Sequence, residues 1–155
     1  MVSFQKFRRW VCLGVLLLVT DPSPVFAQAQ ILPPGQLVLD GFPVVCGPYP
    51  TVITPQLPDS AMFNGQAILL NPMVLNQLPT VLKLYTYGHE CGHAVVGMSE
   101  TAADCWSVRT GRDQGWFPPQ AFQLLVQLFA NNPGDIRHPP GPVRVENMIQ
   151  CYQSP

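Results

Sequence analysis

Apolar residues recur every three to four positions through the middle of the chain and predict a pair of helices. The first helix is predicted over residues 80–96, and Gly97 directly after it is a residue that commonly ends helices. Ser99 is a good capping residue for a second helix over residues 100–110, which Gly111 is expected to stop. The two helices should therefore be joined by a very short turn.

A third helix is predicted over residues 118–130, where three glutamines make a narrow polar stripe on an otherwise apolar segment. Such a composition predicts a mostly buried helix. Residues 131–142 are rich in Pro and Gly and predict a loop, and residues 143–151 predict a short terminal helix.

Short β-branched runs between prolines and glycines predict strands ahead of the helices. They lie at residues 36–39, 44–45 and 51–54, and a further apolar run covers residues 66–70. Strands followed by helices, rather than alternating with them, indicate an α+β domain. We expect one compact domain with short N-terminal strands and a pair of helices at its centre.

The first 27 residues have the pattern of a secretory signal peptide. A basic stretch precedes an apolar segment over residues 10–19, and small residues occupy the positions before a cleavage site after Ala27. The residues that carry this pattern are Lys6, Arg8, Arg9, Val25 and Ala27. The sequence thus predicts a signal peptide over residues 1–27 and one exported domain, periplasmic or secreted, over residues 28–155.

Charged residues are scarce, at 11% of the chain, although 47% of the residues are hydrophobic. This balance argues against a disordered polyelectrolyte. Beyond residue 27 the chain holds five basic and eight acidic side chains, so we expect no nucleic-acid partner. No apolar run after residue 20 has the roughly 20 residues that a membrane-spanning helix needs.

Four cysteines remain after the predicted cleavage site, and an even number in an exported chain predicts two disulfides. Four cysteines allow three pairings, and the sequence leaves the choice between them open. The four residues are Cys46, Cys91, Cys105 and Cys151.

The segment from His89 to His93 reads H-E-C-G-H and matches the pattern H-E-x-x-H on a predicted helix. Residues four apart share a helix face, so both imidazoles can bind one Zn²⁺. Glu90 lies about 100° around the helix axis, where its carboxylate can act as a general base without binding the metal.

A catalytic zinc ion usually has three protein ligands, and the third must come from outside this motif. Glu100 is the favoured candidate, because a tight turn after Gly97 brings it back to the His93 end of the first helix. Asp104, one turn later, would then accept the free N–H of a ligand histidine. The alternative exchanges the two roles, with Asp104 as the ligand.

The sequence resembles the HtpX-like and CAAX-prenyl-protease-like gluzincin metallopeptidases. Their three motifs, H-E-x-x-H, E-x-x-A-D and H-P-x-x-x-x-R, are similar to the segments that begin at His89, Glu100 and His138. Only residues 94–99 separate the first two motifs, which indicates a reduced member of the group.

This resemblance implies a zinc endopeptidase with a zincin-like fold. It implies His89, His93 and Glu100 as ligands, and places His138 and Arg144 near the substrate carbonyl as catalytic residues. It also implies that residues 66–70 form an edge strand on which an extended peptide substrate lies.

We therefore predict an exported zinc metallopeptidase that acts on a peptide or protein, with Glu90 as its base. The alternative is a catalytically inactive binding module stabilised by zinc and disulfides. Aromatic residues of the second half, such as Trp106, Trp116 and Phe117, are expected in the core.

Overall fold

The computed structural model describes residues 28–154, so the predicted signal peptide lies outside the described residues. Within them the chain folds as an α+β domain, as predicted, with the strands first and the longer helices after them.

A four-stranded mixed sheet is formed by β1 (Gln30–Leu32), β4 (Thr51–Ile53), β5 (Ala61–Phe63) and β6 (Ile68–Leu70), in the order β1-β4-β6-β5. Strand β6 runs parallel to β4 and antiparallel to β5. Both of its edges are therefore paired, and the prediction that residues 66–70 form an edge strand is wrong. The edge on that side belongs to β5, which the sequence analysis missed because Ala61–Phe63 contains no β-branched residue.

A separate hairpin is formed by β2 (Leu37–Leu39) and β3 (Phe42–Val44). Asp40 and Gly41 connect them, both with positive φ (48° and 92°), as two-residue hairpin turns prefer. The Asp40 carboxylate accepts hydrogen bonds from Lys83 Nζ, at 2.8 Å to the nearer oxygen, and from the Thr80 hydroxyl. The hairpin is thereby tied to the first long helix.

Five helices follow, and a single 3-10 turn, Pro119–Ala121, precedes the fourth. The pair predicted at the centre is present as α2 and α3, with Gly97 ending the first and Ser99 capping the second. The full set is α1 (Pro72–Leu75), α2 (Thr80–Val96), α3 (Glu100–Asp113), α4 (Phe122–Phe129) and α5 (Gly141–Gln153).

Two sequence predictions about these helices are wrong. Gly111 does not stop α3 but lies inside it. A glycine is needed there because a Cβ would collide with Trp116 and Phe117. Helix α4 is not mostly buried: Leu125 and Phe129 face the core, whereas Val126 and Leu128 are exposed to solvent. Helix α4 therefore carries more apolar side chains than the core buries.

Helix α2 lies at the centre of the domain and contributes to two apolar clusters. Leu84, Tyr87 and Cys91 pack toward the strands, while Leu82 and Tyr85 pack toward α3, α4 and α5. Gly92 lets α3 approach closely, since a Cβ at that position would lie 2.8 Å from the Ala103 Cα. The residues around the H-E-x-x-H motif are therefore held from both sides.

Two disulfides connect segments that are far apart in the sequence. Cys46–Cys91 joins the segment after β3 to α2, and Cys105–Cys151 joins α3 to α5. The structure thus contains the two bridges predicted from the cysteine count and selects one of the three possible pairings.

Within residues 28–154, no helix combines the length and the apolar character that crossing a lipid bilayer requires.

Candidate metal centre

Helix α2 places the two motif histidines on one face, one turn apart, where their Nε2 atoms lie 3.1 Å from each other. Both side chains are buried, and both Nε2 atoms point toward the start of α3. Two imidazole nitrogens this close are suited to hold one cation between them.

Glu100 completes the group because Gly97, with φ of 85°, turns the chain sharply between the two helices. One Glu100 carboxylate oxygen lies 3.3 Å from His89 Nε2, and the other lies 3.4 Å from His93 Nε2. His89, His93 and Glu100 each offer one atom to a cluster that spans no more than 4.8 Å, and this cluster could hold a metal ion. The arrangement corresponds to the favoured choice of third residue, with Glu100 rather than Asp104 facing the histidines.

The remaining ring nitrogen of each histidine contacts an oxygen. His93 Nδ1 donates to the backbone carbonyl of Gly97 at 3.1 Å, which orients the ring with Nε2 toward the cluster. His89 Nδ1 lies 2.8 Å from Asp104 Oδ1, but its N–H is not well aligned with that oxygen. Oxygens in these positions orient ligand imidazoles and raise their basicity.

Asp104 is fully buried and lies at the centre of a polar network behind the candidate ligands. Its two oxygens accept hydrogen bonds from Arg144 Nε and Arg144 Nη2, both at 2.7 Å, and Oδ1 also accepts one from the Tyr85 hydroxyl at 2.6 Å. A buried carboxylate needs such partners to stay ionised. The network explains why an aspartate can be retained in the core beside His89.

These contacts shift the pKa values of the cluster in opposite directions. Burial opposes the protonation of His89, but the Asp104 and Glu100 carboxylates outweigh it and raise its pKa to about 9. Burial likewise opposes the ionisation of Glu100, but His89 and His93 hold its pKa far below the ordinary value. The carboxylates and the imidazoles thus favour each other's charged forms.

Glu90, the middle residue of the motif, lies outside the cluster. Its Oε2 accepts a hydrogen bond from the backbone N–H of Phe63 at 2.7 Å, which connects the carboxylate to the free edge of β5. The side chain therefore lies beside the candidate ligands without joining them. This is the relation that the sequence analysis predicted for a general base.

The loop over residues 131–140 brings His138 to the same centre. His138 Nε2 lies 3.4 Å from Glu100 Oε1, and its Nδ1 lies 2.8 Å from the Asp135 carboxylate. Asp135 also accepts the backbone N–H groups of Arg137 and His138, which together with the His138 ring lower its pKa to about 2. One aspartate thus fixes both the loop and the direction of the imidazole.

Arg144 lies deeper in the domain than the resemblance implied. It is 6% exposed, is paired with Asp104, and has its guanidinium carbon 4.8 Å from the centre of the Phe129 ring. One guanidinium nitrogen also lies 3.4 Å from Glu100. The structure therefore places Arg144 behind the candidate ligands, in contact with two carboxylates.

A cleft of about 890 Å³ contains the site, and β5 and the loop over residues 131–140 form part of its walls. His89, Glu90, His93, Glu100 and His138 all line it. All the side chains predicted to carry chemistry therefore meet at one cavity, although 49 positions separate His89 from His138.

Two residues of the site received no definite role from the sequence. Tyr85 lies one turn before His89 in α2, a spacing compatible with a hydrogen bond near the metal. It is 3% exposed, and its hydroxyl donates a hydrogen bond to Asp104. Asp135 was missed, although an Asp three residues before a histidine is a recognisable turn signal.

Comparison of the chain with protein-family models, with curated proteins and with solved structures returned no match.

Proposed function

We propose that this protein is a zinc metallopeptidase. The observation that carries the proposal is the convergence of His89, His93 and Glu100, with the Glu90 carboxylate beside them but outside the group. Three protein ligands leave one position of a tetrahedral ion open, which distinguishes a catalytic zinc site from a structural one.

The spacing of the donor atoms supports zinc. Two donors, each about 2.0–2.1 Å from a tetrahedral ion, lie about 3.3 Å apart. The two Nε2 atoms lie 3.1 Å apart, and they lie 3.3 and 3.4 Å from two different oxygens of Glu100. Two imidazoles with one carboxylate form a common zinc ligand set, and each imidazole has an oxygen within reach of its other nitrogen.

If His89, His93 and Glu100 held zinc, the ion would supply a Lewis acid for a carbonyl group and would lower the pKa of a bound water molecule. The Glu90 carboxylate then removes a proton from the attacking water and delivers it to the leaving amine. His138 donates an N–H to the oxygen that gains negative charge, held in place by Asp135. Arg144 acts as a positioning residue, because its polar contacts run to the Asp104 and Glu100 carboxylates.

An extended peptide is the substrate that suits the cleft best. Strand β5 offers a free edge beside Glu90, and a peptide can add to a sheet edge through backbone hydrogen bonds. The strand that we propose for substrate is therefore β5, in place of β6.

The three motifs support a relationship to the HtpX-like and CAAX-prenyl-protease-like gluzincins, as a reduced and exported member. Two disulfides among the described residues support an oxidising destination such as the periplasm or the medium. Cleavage after Ala27 is part of the same proposal.

One observation favours the alternative of a zinc-stabilised binding module without turnover. The Glu90 carboxylate is engaged by the Phe63 N–H, and a base must be free to reach the water. Peptide binding along β5 would have to release this carboxylate if the protein is an enzyme.

The decisive comparison is between wild type, Glu90→Gln and Glu146→Gln. Glu146 is an exposed carboxylate on α5, so its variant controls for the loss of one negative charge. We expect one zinc per chain in all three proteins, and hydrolysis of a fluorescein-labelled unfolded protein in wild type and Glu146→Gln. Glu90→Gln should lose about 10²–10⁴-fold in rate, the usual contribution of a general base.

The other outcomes separate the hypotheses. Zinc without hydrolysis in the wild-type protein would support the binding module. Absence of zinc after exposure to a stoichiometric amount of the metal would contradict both. Undiminished turnover in Glu90→Gln would remove Glu90 from the mechanism.

A further inference from the structure

A second cavity, of about 370 Å³, lies on the opposite side of α2 from the metal centre. Its α2 wall is formed by Leu84, Tyr87, Gly88, Cys91 and Val95, which share one helix face, whereas His89 and His93 face the other way. The two cavities have no lining residue in common. Nothing in the proposed peptidase reaction uses this second cavity.

The walls come from three parts of the fold. Phe42 and Val45, from the β2–β3 hairpin and the residues after it, form one side, and Trp106 of α3 and Trp116 form another. The α2 side is buried, with Leu84, Tyr87 and Cys91 each less than 5% exposed. The buried α2 side of the cavity is cross-linked to the segment after β3 by the Cys46–Cys91 disulfide.

Charge distinguishes this cavity sharply from the metal cleft. None of the residues described along its walls is an acid, a lysine, an arginine or a histidine, whereas the cleft contains several of each sign. Three apolar side chains at its rim are strongly exposed: Val45 (60%), Val95 (59%) and Phe42 (43%). A charged ligand would lose its hydration here without gaining an ionic partner.

The lining also contains a small polar group at one side. Gln114 accepts a hydrogen bond from the Trp116 indole N–H at 2.9 Å, which leaves its amide NH₂ available, and the Thr110 hydroxyl lies in the same wall. Apolar walls with one or two neutral hydrogen-bonding groups are typical of small-molecule sites, which commonly measure about 300–1,000 Å³.

We propose that this cavity binds a neutral aromatic small molecule. Phe42, Trp106 and Trp116 provide ring contacts for it, and burial of its apolar surface provides the main driving force. The Thr110 and Gln114 side chains orient a single uncharged polar group. The site is independent of zinc and of Glu90.

The test uses the cavity's own tryptophans as reporters. The chain has three tryptophans, and two of them, Trp106 and Trp116, line the cavity. In the full chain with Trp10→Phe, all tryptophan fluorescence therefore comes from the site. N-phenyl-1-naphthylamine, a neutral aromatic probe, is titrated into this protein, and saturable quenching of the tryptophans gives its dissociation constant.

A matched pair of variants separates the cavity from the general surface. Val95 lines the cavity and Val96 does not, yet both are exposed valines at the end of α2. Because both side chains are exposed, Val95→Phe and Val96→Phe should each fold. Val95→Phe should weaken probe binding about tenfold or more, since it fills the mouth and removes roughly 1.4 kcal/mol of contacts, and Val96→Phe should leave the binding unchanged.

A second probe tests the charge argument. 8-Anilinonaphthalene-1-sulfonate is similar in size but carries a sulfonate, and it should bind at least about tenfold more weakly than the neutral probe. A chelator should not change the affinity for the neutral probe.

The proposal would be overturned by the absence of saturable quenching, by equal affinity in the Val95 and Val96 variants, by equal affinity for the two probes, or by loss of binding with the chelator. The last would locate the probe in the metal cleft. Self-association of the chain that Val95→Phe abolishes would likewise overturn it, because the cavity would then be covered by a second copy.

Discussion

Replacing Asp104 by Asn tests whether the buried network holds the centre of the domain together. The change preserves the shape of the side chain and removes its negative charge. Asp104 has no exposed surface, and it accepts both 2.7 Å hydrogen bonds from Arg144 as well as the one from Tyr85. In the variant the buried guanidinium can keep a hydrogen bond to the amide oxygen, but the Glu100 carboxylate at 3.4 Å becomes its nearest negative charge.

The expected cost follows from the burial of the pair. Removing one partner from a buried ion pair typically costs about 3–5 kcal/mol, because the other charge is left without compensation. A domain of this size is stabilised by about 5–15 kcal/mol, so Asp104→Asn should remove a large part of the total. His89 also loses its carboxylate neighbour, and metal affinity should fall about 10–100-fold.

The assay is urea unfolding of the metal-free protein at pH 7, followed by circular dichroism. Asp113→Asn is the matched control, because Asp113 Oδ1 lies 2.8 Å from Arg112 Nε but its side chain is 62% exposed. That pair lies in water and should contribute less than about 1 kcal/mol. Zinc affinity of both variants is measured by competition with a chromogenic chelator.

A double variant, Asp104→Asn with Arg144→Met, addresses the case in which the single variant does not fold. Removing both charges should recover much of the lost stability, because the uncompensated guanidinium is then gone. The reasoning is refuted if Asp104→Asn costs no more than Asp113→Asn, or if the double variant is less stable than the single one.

Three further predictions concern other parts of the fold. His138→Ala should retain zinc while turnover falls by about 10²–10³-fold, the usual loss for one donor to an oxyanion; zinc analysis beside a hydrolysis assay checks this, and loss of the metal would instead make His138 a ligand. Replacing Cys105 and Cys151 together by Ala should lower the free energy of unfolding by about 4 kcal/mol, because the bridge closes a loop with a sequence separation of 46; unchanged urea midpoints would contradict the pairing. Lys83→Met should raise the lowered pKa of Asp40 toward its ordinary value, because hydrogen bonds from Lys83 hold it down. Because the pKa of Asp40 is lowered in the folded state, the pair stabilises the protein at pH values above the pKa of the unfolded state, about 3.9, and this benefit disappears as the pH falls through the folded pKa. An NMR titration that gave Asp40 the same pKa in both proteins would contradict the assignment.

Local sequence was sufficient wherever the structure depends on neighbours along the chain. The bounds of α2 and the turn from Gly97 to Ser99 follow from periodicity and capping residues, and the spacing of His89 and His93 follows from the helix itself. Two disulfides were predictable from an even cysteine count in a chain that the sequence predicts to be exported, although their pairing was not.

Other features required knowledge of which segments lie side by side. Glycine commonly ends a helix, but Gly111 lies inside α3, where the absence of a side chain leaves room for Trp116. Strand β5 has no β-branched residue to mark it as a strand, and its place at the sheet edge depends on pairing with β6. The exposed face of α4 arises because α5 covers only one side of an apolar helix.

The sequence by itself determined which residues form the candidate metal centre, because a helix fixes the spacing of side chains four residues apart and a tight turn places Glu100 next to them. Only the tertiary structure decided how Asp104, Arg144 and Tyr85 support them, since the contacts of Asp104 with Tyr85 and Arg144 join residues 19 and 40 positions apart. The physical reason is that backbone geometry is local, whereas the compensation of a buried charge depends on whichever partner the folded chain brings within hydrogen-bond distance.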